Sequence, residues 1–88
     1  MRSVEITIRG RVQGVGFRYY TLRIADEKHI TGYIRNKPDG SVFIEAEGEK
    51  ENIESFLMWC REGPPRARVD ELIVTDCPPA GYLRFDIR

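Results

Sequence analysis

The alternation of apolar and polar residues along the chain predicts a short series of strands and helices. Residues 3–12 alternate with the period of a strand that buries one face. Residues 17–28 have helical spacing instead, with one stripe of Phe17, Tyr20, Thr21, Ile24 and Ala25. These two patterns recur, and they predict strands at 31–36, from 42, at 67–75 and at 83–88, and a helix at 50–62. The order βαββαβ plus a terminal strand predicts an α+β fold, a ferredoxin-like sandwich with two helices packed on an antiparallel sheet.

Turn residues separate these elements. Gly14 and Gly16 interrupt the pattern between the first strand and the first helix, and residues 37–40, Lys-Pro-Asp-Gly, are typical of a hairpin turn. Gly63, followed by two prolines, marks the end of the second helix. Because the sequence has no repeat and no low-complexity linker, we expect one domain over residues 1–88.

Composition and charge exclude several classes of function. The 88 residues include fourteen basic and fourteen acidic side chains, and this zero net charge disfavours nucleic acid or a membrane as the partner. No apolar run is long enough to cross a bilayer, and the first residues do not resemble a signal segment, so we expect a cytoplasmic protein. The neutral total hides an asymmetry, because residues 1–37 carry a net charge of +5 and the remainder −5. A basic first half suits a small anionic substrate.

The two cysteines, Cys60 and Cys77, lack the spacing of a zinc site, and the chain has a single histidine, His29. We therefore expect no metal and no cofactor. Cys60 lies on the apolar stripe of the second predicted helix, which indicates a buried thiol. The sequence is compatible with a disulfide between the two cysteines.

The segment Gly10–Arg18 has the features of an anion-binding turn. Glycine permits positive φ, so successive N–H groups can face one concavity, and the helix that follows leaves its first N–H groups unpaired. Arg18 adds a planar guanidinium suited to two phosphate oxygens. The segment is neither a Walker loop nor a dinucleotide fingerprint. The alternative is an ordinary connecting turn with a surface arginine.

Residues 10–18, Gly-Arg-Val-Gln-Gly-Val-Gly-Phe-Arg, resemble the GRVQGVxFR signature of the acylphosphatases. Residues 32–36, Gly-Tyr-Ile-Arg-Asn, with the glycines at 40 and 48, resemble their second signature. The resemblance implies a hydrolase that cleaves acyl phosphates into a carboxylate and inorganic phosphate, and we expect it to be a monomer. It also implies that Arg18 binds the phosphoryl oxygens, that Asn36 orients the attacking water, and that the phosphoryl group lies in the loop of Gln13, Gly14, Val15, Gly16, Phe17 and Arg18.

Elementary chemistry agrees with these implied roles. Phosphoryl transfer needs mainly positioning and charge stabilisation, which an arginine and fixed N–H groups provide. A departing carboxylate has a conjugate-acid pKa of about 4 and needs no general acid at neutral pH. An amide such as that of Asn36 can hold water by donating and accepting, although an asparagine before a turn also caps backbone groups. The proton acceptor is unassigned, and the substrate's own phosphate is our hypothesis.

The chain departs from the family pattern before Gly32, where Lys28-His29-Ile30 replaces the usual Leu-Gly-Leu. The glycine that would end the first helix is missing, which leaves that helix end uncertain. His29 is then expected to be a surface residue at the helix terminus rather than a catalyst.

Two other functions are compatible with the predicted fold. A domain that binds anions without catalysis would keep the loop, but the presence of both Arg18 and Asn36 argues against it. An RNA-recognition module would use sheet aromatics such as Tyr33 and Phe43. The third strand lacks the basic-Gly-aromatic motif of such modules, and the net charge is zero, so this alternative is disfavoured.

Overall fold

A computed structural model describes all 88 residues and contains five strands and two helices. In chain order these are β1 (Arg2–Arg11), α1 (Phe17–Glu27), β2 (Thr31–Asn36), β3 (Val42–Gly48), α2 (Lys50–Glu62), β4 (Arg68–Asp76) and β5 (Phe85–Ile87). The bounds agree with the sequence pattern to within two residues. Both helices pack on one face of the sheet, so the predicted ferredoxin-like α+β class is confirmed.

The sheet has the strand order β4-β1-β3-β2-β5. The first four strands pair antiparallel as predicted, whereas β5 runs parallel to β2. The reason is topological. Strand β4 runs in the direction of β3 and opposite to β2, so a chain that leaves the end of β4 and returns at the far edge runs parallel to β2.

The core lies between the sheet and the helices. Each fully buried aliphatic or aromatic side chain there contributes about 1.5–3 kcal/mol relative to an exposed one. Tyr20 lies on the predicted apolar stripe of α1 but is 41% exposed, and Ile24 is only half-buried. The helices contribute the buried side chains of Phe17, Thr21, Ala25, Ile53, Phe56, Leu57 and Cys60.

The segment 77–84 crosses the ends of the strands on the face opposite the helices. Glu47 points to that face, as the alternation predicts, yet it is only 5% exposed because this segment covers it. Its carboxylate accepts hydrogen bonds from the backbone N–H groups of Ala80, Gly81 (3.1 Å) and Tyr82 (3.2 Å). The Tyr82 hydroxyl donates to Glu45, which raises the pKa of Tyr82 to about 12. These contacts guide the chain to β5.

Both cysteines are free. Cys60 faces the core, where burial raises the pKa of its thiol. The Cys77 sulfur lies within 4.8 Å of carboxylate oxygens of Glu5 and Glu45, on the opposite face of the sheet. The disulfide left open by the sequence is therefore excluded, because the sheet separates the two thiols. Neither helix has the length and apolar character that a bilayer crossing requires.

His29 ends α1 in the left-handed conformation, with φ of 57°. The N–H of Ile30 donates to the Ala25 carbonyl (2.8 Å) and that of His29 to the Asp26 carbonyl (3.3 Å), which is the Schellman pattern. The exposed His29 thus takes the backbone position that a glycine usually occupies, and the helix still ends there.

Replacing His29 with glycine should stabilise the protein. A left-handed conformation costs an L-residue about 1–2 kcal/mol, and the greater chain entropy of glycine offsets about 0.5–1 kcal/mol of the gain. We expect His29→Gly to raise the free energy of unfolding by about 0.5–1 kcal/mol, measured by urea denaturation. The control His29→Ala keeps the strained conformation and should bring no gain. Equal stabilisation by both variants would contradict this explanation.

Candidate active site

The loop between β1 and α1 presents a run of unpaired backbone donors. Gly14 and Gly16 adopt left-handed conformations, with φ of 74° and 78°, which turn the chain sharply ahead of the helix. None of the backbone N–H groups of residues 13–19 donates an intramolecular hydrogen bond, and the first helical bond is from the Tyr20 N–H to the Gly16 carbonyl (3.1 Å). A glycine turn followed by a helix N-terminus, with free N–H groups, is a binding site for anions.

The side chain of Gln13 fixes this loop to the β2–β3 turn. Its amide nitrogen donates to the carbonyl oxygens of Lys37 (2.8 Å) and Ser41 (2.9 Å). The turn is held in its own right, because the Asp39 carboxylate accepts from the Ser41 N–H (2.9 Å) and hydroxyl (2.6 Å). These bonds hold the pKa of Asp39 below its usual value, with a smaller contribution from Arg9. The side-chain nitrogen of Gln13 is thus committed to structure.

A pocket of about 290 Å³ opens beside the loop and brings the main predicted site residues together. Of the six residues predicted for the phosphate loop, four line the pocket, whereas Gln13 and Val15 do not. Val15 is buried and anchors the loop in the core. The lining residues are Val12, Gly14, Gly16, Phe17, Arg18, Tyr19, Asn36 and Ile87.

Arg18 and Asn36 have the chemical properties that a phosphoryl site requires. The Arg18 side chain is exposed and forms no salt bridge, so its fork of donors is free to bind. The Oδ1 atom of Asn36 is buried and has no hydrogen-bond partner. Leaving a buried acceptor unpaired costs about 1–3 kcal/mol. Asn36 follows Ile34 on the core-facing side of β2, and this places its amide at the end of the strand, in the pocket.

Sequence reasoning missed three features of the site. The Gln13 contacts join residues 24 and 28 positions apart, and no local pattern encodes them. Tyr19 follows Arg18 in the first turn of α1, and its place in the lining could have been inferred from that proximity. Ile87 reaches the pocket only because β5 pairs with β2. The buried hydroxyl of Thr21, one turn after Arg18, makes no hydrogen bond.

The charges around the site favour anions. Of the eight basic side chains in residues 1–37, only Arg2 and Arg9 form salt bridges. The other six basic side chains of this half form no salt bridge. The pocket lining itself contains one cation, Arg18, and no carboxylate.

The model of the acylphosphatase family matches residues 4–87. The chain belongs to the acylphosphatase family. It is 44% identical over its whole length to an acylphosphatase of Thermotoga maritima, of which the match covers 98%. It is 47% identical to an acylphosphatase of Oceanobacillus iheyensis, with 100% of this chain and 99% of that protein covered. As an acylphosphatase, the protein is a hydrolase.

Solved structures agree with this assignment of the fold. The crystal structure of acylphosphatase from Bacillus subtilis matches with a TM-score of 0.97 at 38% identity, covering 100% of this chain and 99% of that one. A crystal structure of full-length HypF in its phosphate- and nucleotide-bound form matches with a TM-score of 0.89 at 33% identity. There the match covers 99% of this chain but 12% of HypF. The acylphosphatase fold thus also occurs within a much longer chain.

The aromatics considered for RNA binding lie together on the open face of the sheet. The ring centroids of Tyr33 and Phe43 are 6.1 Å apart, and Tyr82 packs edge-on against Tyr33. The guanidinium of Arg88 lies 4.4 Å from the Tyr33 ring centroid, so the ring is already covered by a cation. The face therefore has a structural role within the acylphosphatase, since it packs the crossing segment 77–84 onto the sheet.

Removing the Gln13 side-chain amide should lower the stability of the fold and the order of the loop between β1 and α1, here called the anion loop. Gln13→Ala loses two hydrogen bonds, so we expect the free energy of unfolding to fall by about 1–2 kcal/mol. The inhibition constant of inorganic phosphate should rise by about threefold or more, because the loop is less ordered before binding. Urea denaturation and inhibition kinetics measure the two effects.

The isosteric variant Gln13→Glu is the matched control. It places a carboxylate against two carbonyl oxygens, so it should be less stable than Gln13→Ala. A variant set that changed phosphate inhibition while leaving stability unaltered would mean that the side chain binds phosphate directly, and would contradict the structural role.

Proposed function

We propose that the pocket beside the β1–α1 loop is the site at which this acylphosphatase hydrolyses small acyl phosphates. The observation that carries the proposal is the convergence of three features in one cavity. These are the unpaired N–H groups of Gly14 and of residues 16–19, the free guanidinium of Arg18 and the unpartnered Oδ1 of Asn36. The N–H groups can hold an anion, the guanidinium can stabilise its charge, and the amide oxygen can hold a water molecule.

In this proposal the loop and Arg18 hold the phosphoryl group. The backbone N–H groups, with the positive end of the α1 dipole, stabilise the equatorial oxygens as charge develops on them. Arg18 donates to two of these oxygens through its planar fork. The loop residues are Gln13, Gly14, Val15, Gly16, Phe17 and Arg18, and of these Gln13 and Val15 act by anchoring the loop.

Asn36 positions the attacking water. Its unpartnered Oδ1 accepts a hydrogen bond from the water, whose oxygen lone pair is then directed at phosphorus. The water oxygen forms the new P–O bond while the bond from phosphorus to the carboxylate oxygen breaks. The carboxylate leaves with the electron pair and needs no proton at neutral pH. The products are a carboxylate and inorganic phosphate.

The proton of the water passes to an oxygen of the transferred phosphate in this scheme. The support is the composition of the lining, which contains no carboxylate, imidazole or thiol. A metal or cofactor is not part of the proposed reaction, because every step is assigned to the protein and the substrate.

We also propose that the protein acts as a single-domain monomer in the cytoplasm. We expect residues 1–88 to act as one domain, since a single cluster of seventeen buried side chains joins the sheet to both helices. Every group assigned a part in the proposed reaction lies on this chain, and we expect the protein to act as a monomer. Two free cysteines suit the reducing conditions of the cytoplasm. The partners are the acyl phosphate and inorganic phosphate, not nucleic acid or a membrane.

Substitution of the two site residues should separate their roles. Arg18→Ala should lower kcat/KM for an acyl phosphate by about 10³-fold or more and abolish competitive inhibition by inorganic phosphate, because the main charge is lost. Asn36→Ala should lower kcat by about 10²-fold, as expected for one positioning group, while phosphate still inhibits. Steady-state hydrolysis with phosphate as inhibitor measures both.

Two conservative variants are controls for these effects. Arg18→Lys keeps the charge and loses the fork, so it should recover only part of the activity. Asn36→Asp keeps the shape of the side chain and adds a negative charge facing the phosphate, so it should be no better than Asn36→Ala. Purified protein that binds phosphate but hydrolyses no acyl phosphate above the spontaneous rate would disprove the proposed function.

The pH dependence tests the assignment of the proton acceptor. With no carboxylate or imidazole in the lining, any change of kcat between pH 5 and 8 should follow only the second ionisation of the substrate's own phosphate, whose pKa is about 6 or lower. Measurement across this range with one buffer series of constant ionic strength is sufficient. A steep limb that disappears when a single carboxylate is changed to its amide would identify that carboxylate as the base and contradict the proposal.

A further inference from the structure

The ring of Tyr20 covers Gly16 in the anion loop, a contact that the proposed reaction does not use. A Cβ atom added at Gly16 would lie 3.4 Å from Cε2 and 3.5 Å from Cδ2 of Tyr20, whereas one added at Gly14 would meet no atom within 4 Å. The Tyr20 N–H also donates to the Gly16 carbonyl (3.1 Å). Tyr20 therefore holds Gly16 through both its backbone and its ring, and Gly14 has no such cover.

The side chain of Tyr20 belongs to the loop rather than to the core. The buried residues of α1 are Phe17, Thr21 and Ala25, whereas Tyr20 is 41% exposed. Its ring packs edge-on against Tyr19, with centroids 5.8 Å apart. Tyr20 is not among the residues that line the pocket. Its ring thus contacts the loop from outside the space that a substrate would fill.

The conformation of Gly16 decides where two donors of the loop point. Gly16 is the N-cap of α1, with φ of 78° and ψ of 15°, and no side chain caps this helix end. Rotation about its φ redirects the Gly16 N–H, and rotation about its ψ redirects the Phe17 N–H. Glycine has more backbone freedom than any other residue. A side chain at the fourth position of a helix can fix the angle at which the chain enters, and Tyr20 is at that position.

We propose that Tyr20 is a positioning residue of this acylphosphatase, whose ring holds Gly16 in the conformation in which the N–H groups of Gly16 and Phe17 face the bound phosphoryl group. The inference rests on the proposed function, since it assumes that the phosphoryl group lies in the anion loop. Donors that are fixed before binding need no reorganisation as charge develops on the phosphoryl oxygens. The cost of ordering Gly16 is also removed from the binding step.

The test compares the wild type with Tyr20→Ala, Tyr20→Leu and Tyr20→Phe. Calorimetry gives the dissociation constant of inorganic phosphate, and hydrolysis of acetyl phosphate gives kcat/KM. We expect Tyr20→Ala to raise the dissociation constant by about fivefold, as a loose residue that binding must order implies. It should lower kcat/KM by about tenfold, because the transition state depends on fixed donors more than the ground state does. Tyr20→Leu should lie between, and Tyr20→Phe should stay within about twofold of the wild type, because ring carbons make the contact.

A measurement at the loop separates positioning from a general loss of stability. Without phosphate, the NMR order parameter of the Gly16 N–H should be about 0.85 in the wild type, as in rigid backbone, and should fall towards about 0.6 in Tyr20→Ala. Tyr20→Phe should restore it. Thermal melts keep every measurement below the unfolding of each variant, and Tyr20→Leu carries the test if Tyr20→Ala melts below the assay temperature. Met58→Ala is the matched control and should change neither phosphate binding nor the order parameter, because Met58 is a 71% exposed side chain of α2 outside the pocket.

Unchanged phosphate binding and an unchanged order parameter in Tyr20→Ala would overturn the positioning role and leave the proposed function intact. Equal impairment of Tyr20→Phe and Tyr20→Ala would also overturn it, because the hydroxyl and not the ring would then carry the effect. A wild type that binds phosphate but hydrolyses no acetyl phosphate would overturn the proposed function, and the dissociation constants of the Tyr20 variants would then decide the positioning role. A wild type that binds no phosphate would overturn both.

Discussion

The candidate site depends on the backbone N–H groups of residues 13–19, which have no hydrogen-bond partner within the chain. Donors without partners lower stability unless water or a ligand satisfies them, so a flexible loop would tend to close on itself. The chain prevents this with two left-handed glycines, Gly14 and Gly16, and with anchors on either side. Val15 is buried in the core, and Gln13 is bonded to the neighbouring turn. Binding capacity is thus maintained by constraints that lie outside the pocket.

The same constraints couple the two halves of the site. Gln13 donates to the carbonyl of Lys37, the residue that follows Asn36. The loop and Asn36, for which we propose the positioning of water, are therefore joined through a hydrogen bond to the very next residue. A shift of about 1 Å between attacking water and phosphoryl group is enough to slow such a reaction severely. The short connection through Gln13 and Lys37 keeps the loop aligned with Asn36.

The sequence encodes the local parts of this arrangement and not the contacts between distant segments. Alternation predicts the first four strands, and the signature resemblance pointed to Arg18 and Asn36, which line one pocket. The direction of β5 depends on how the chain crosses from β4, which no local period records. Leu83 continues the alternation of Phe85 but lies outside the strand and is 96% exposed. Glu47 is buried only because the crossing segment covers it and donates three backbone hydrogen bonds to its carboxylate.

The crossing segment gives Glu47 an indirect part in the site. Its carboxylate and the hydroxyl of Tyr82 fix the path of residues 77–84, and that path brings β5 beside β2. Phe85 secures the short strand by packing edge-on against Phe56 of α2, with ring centroids 6.2 Å apart. Ile87 reaches the pocket because of these contacts, whereas the loop between β1 and α1 is held by the burial of Val15 and by the hydrogen bonds of Gln13 to the β2–β3 turn. The fold thus supports the phosphate loop and one side of the pocket through separate sets of contacts, so the second can vary while the first keeps its geometry.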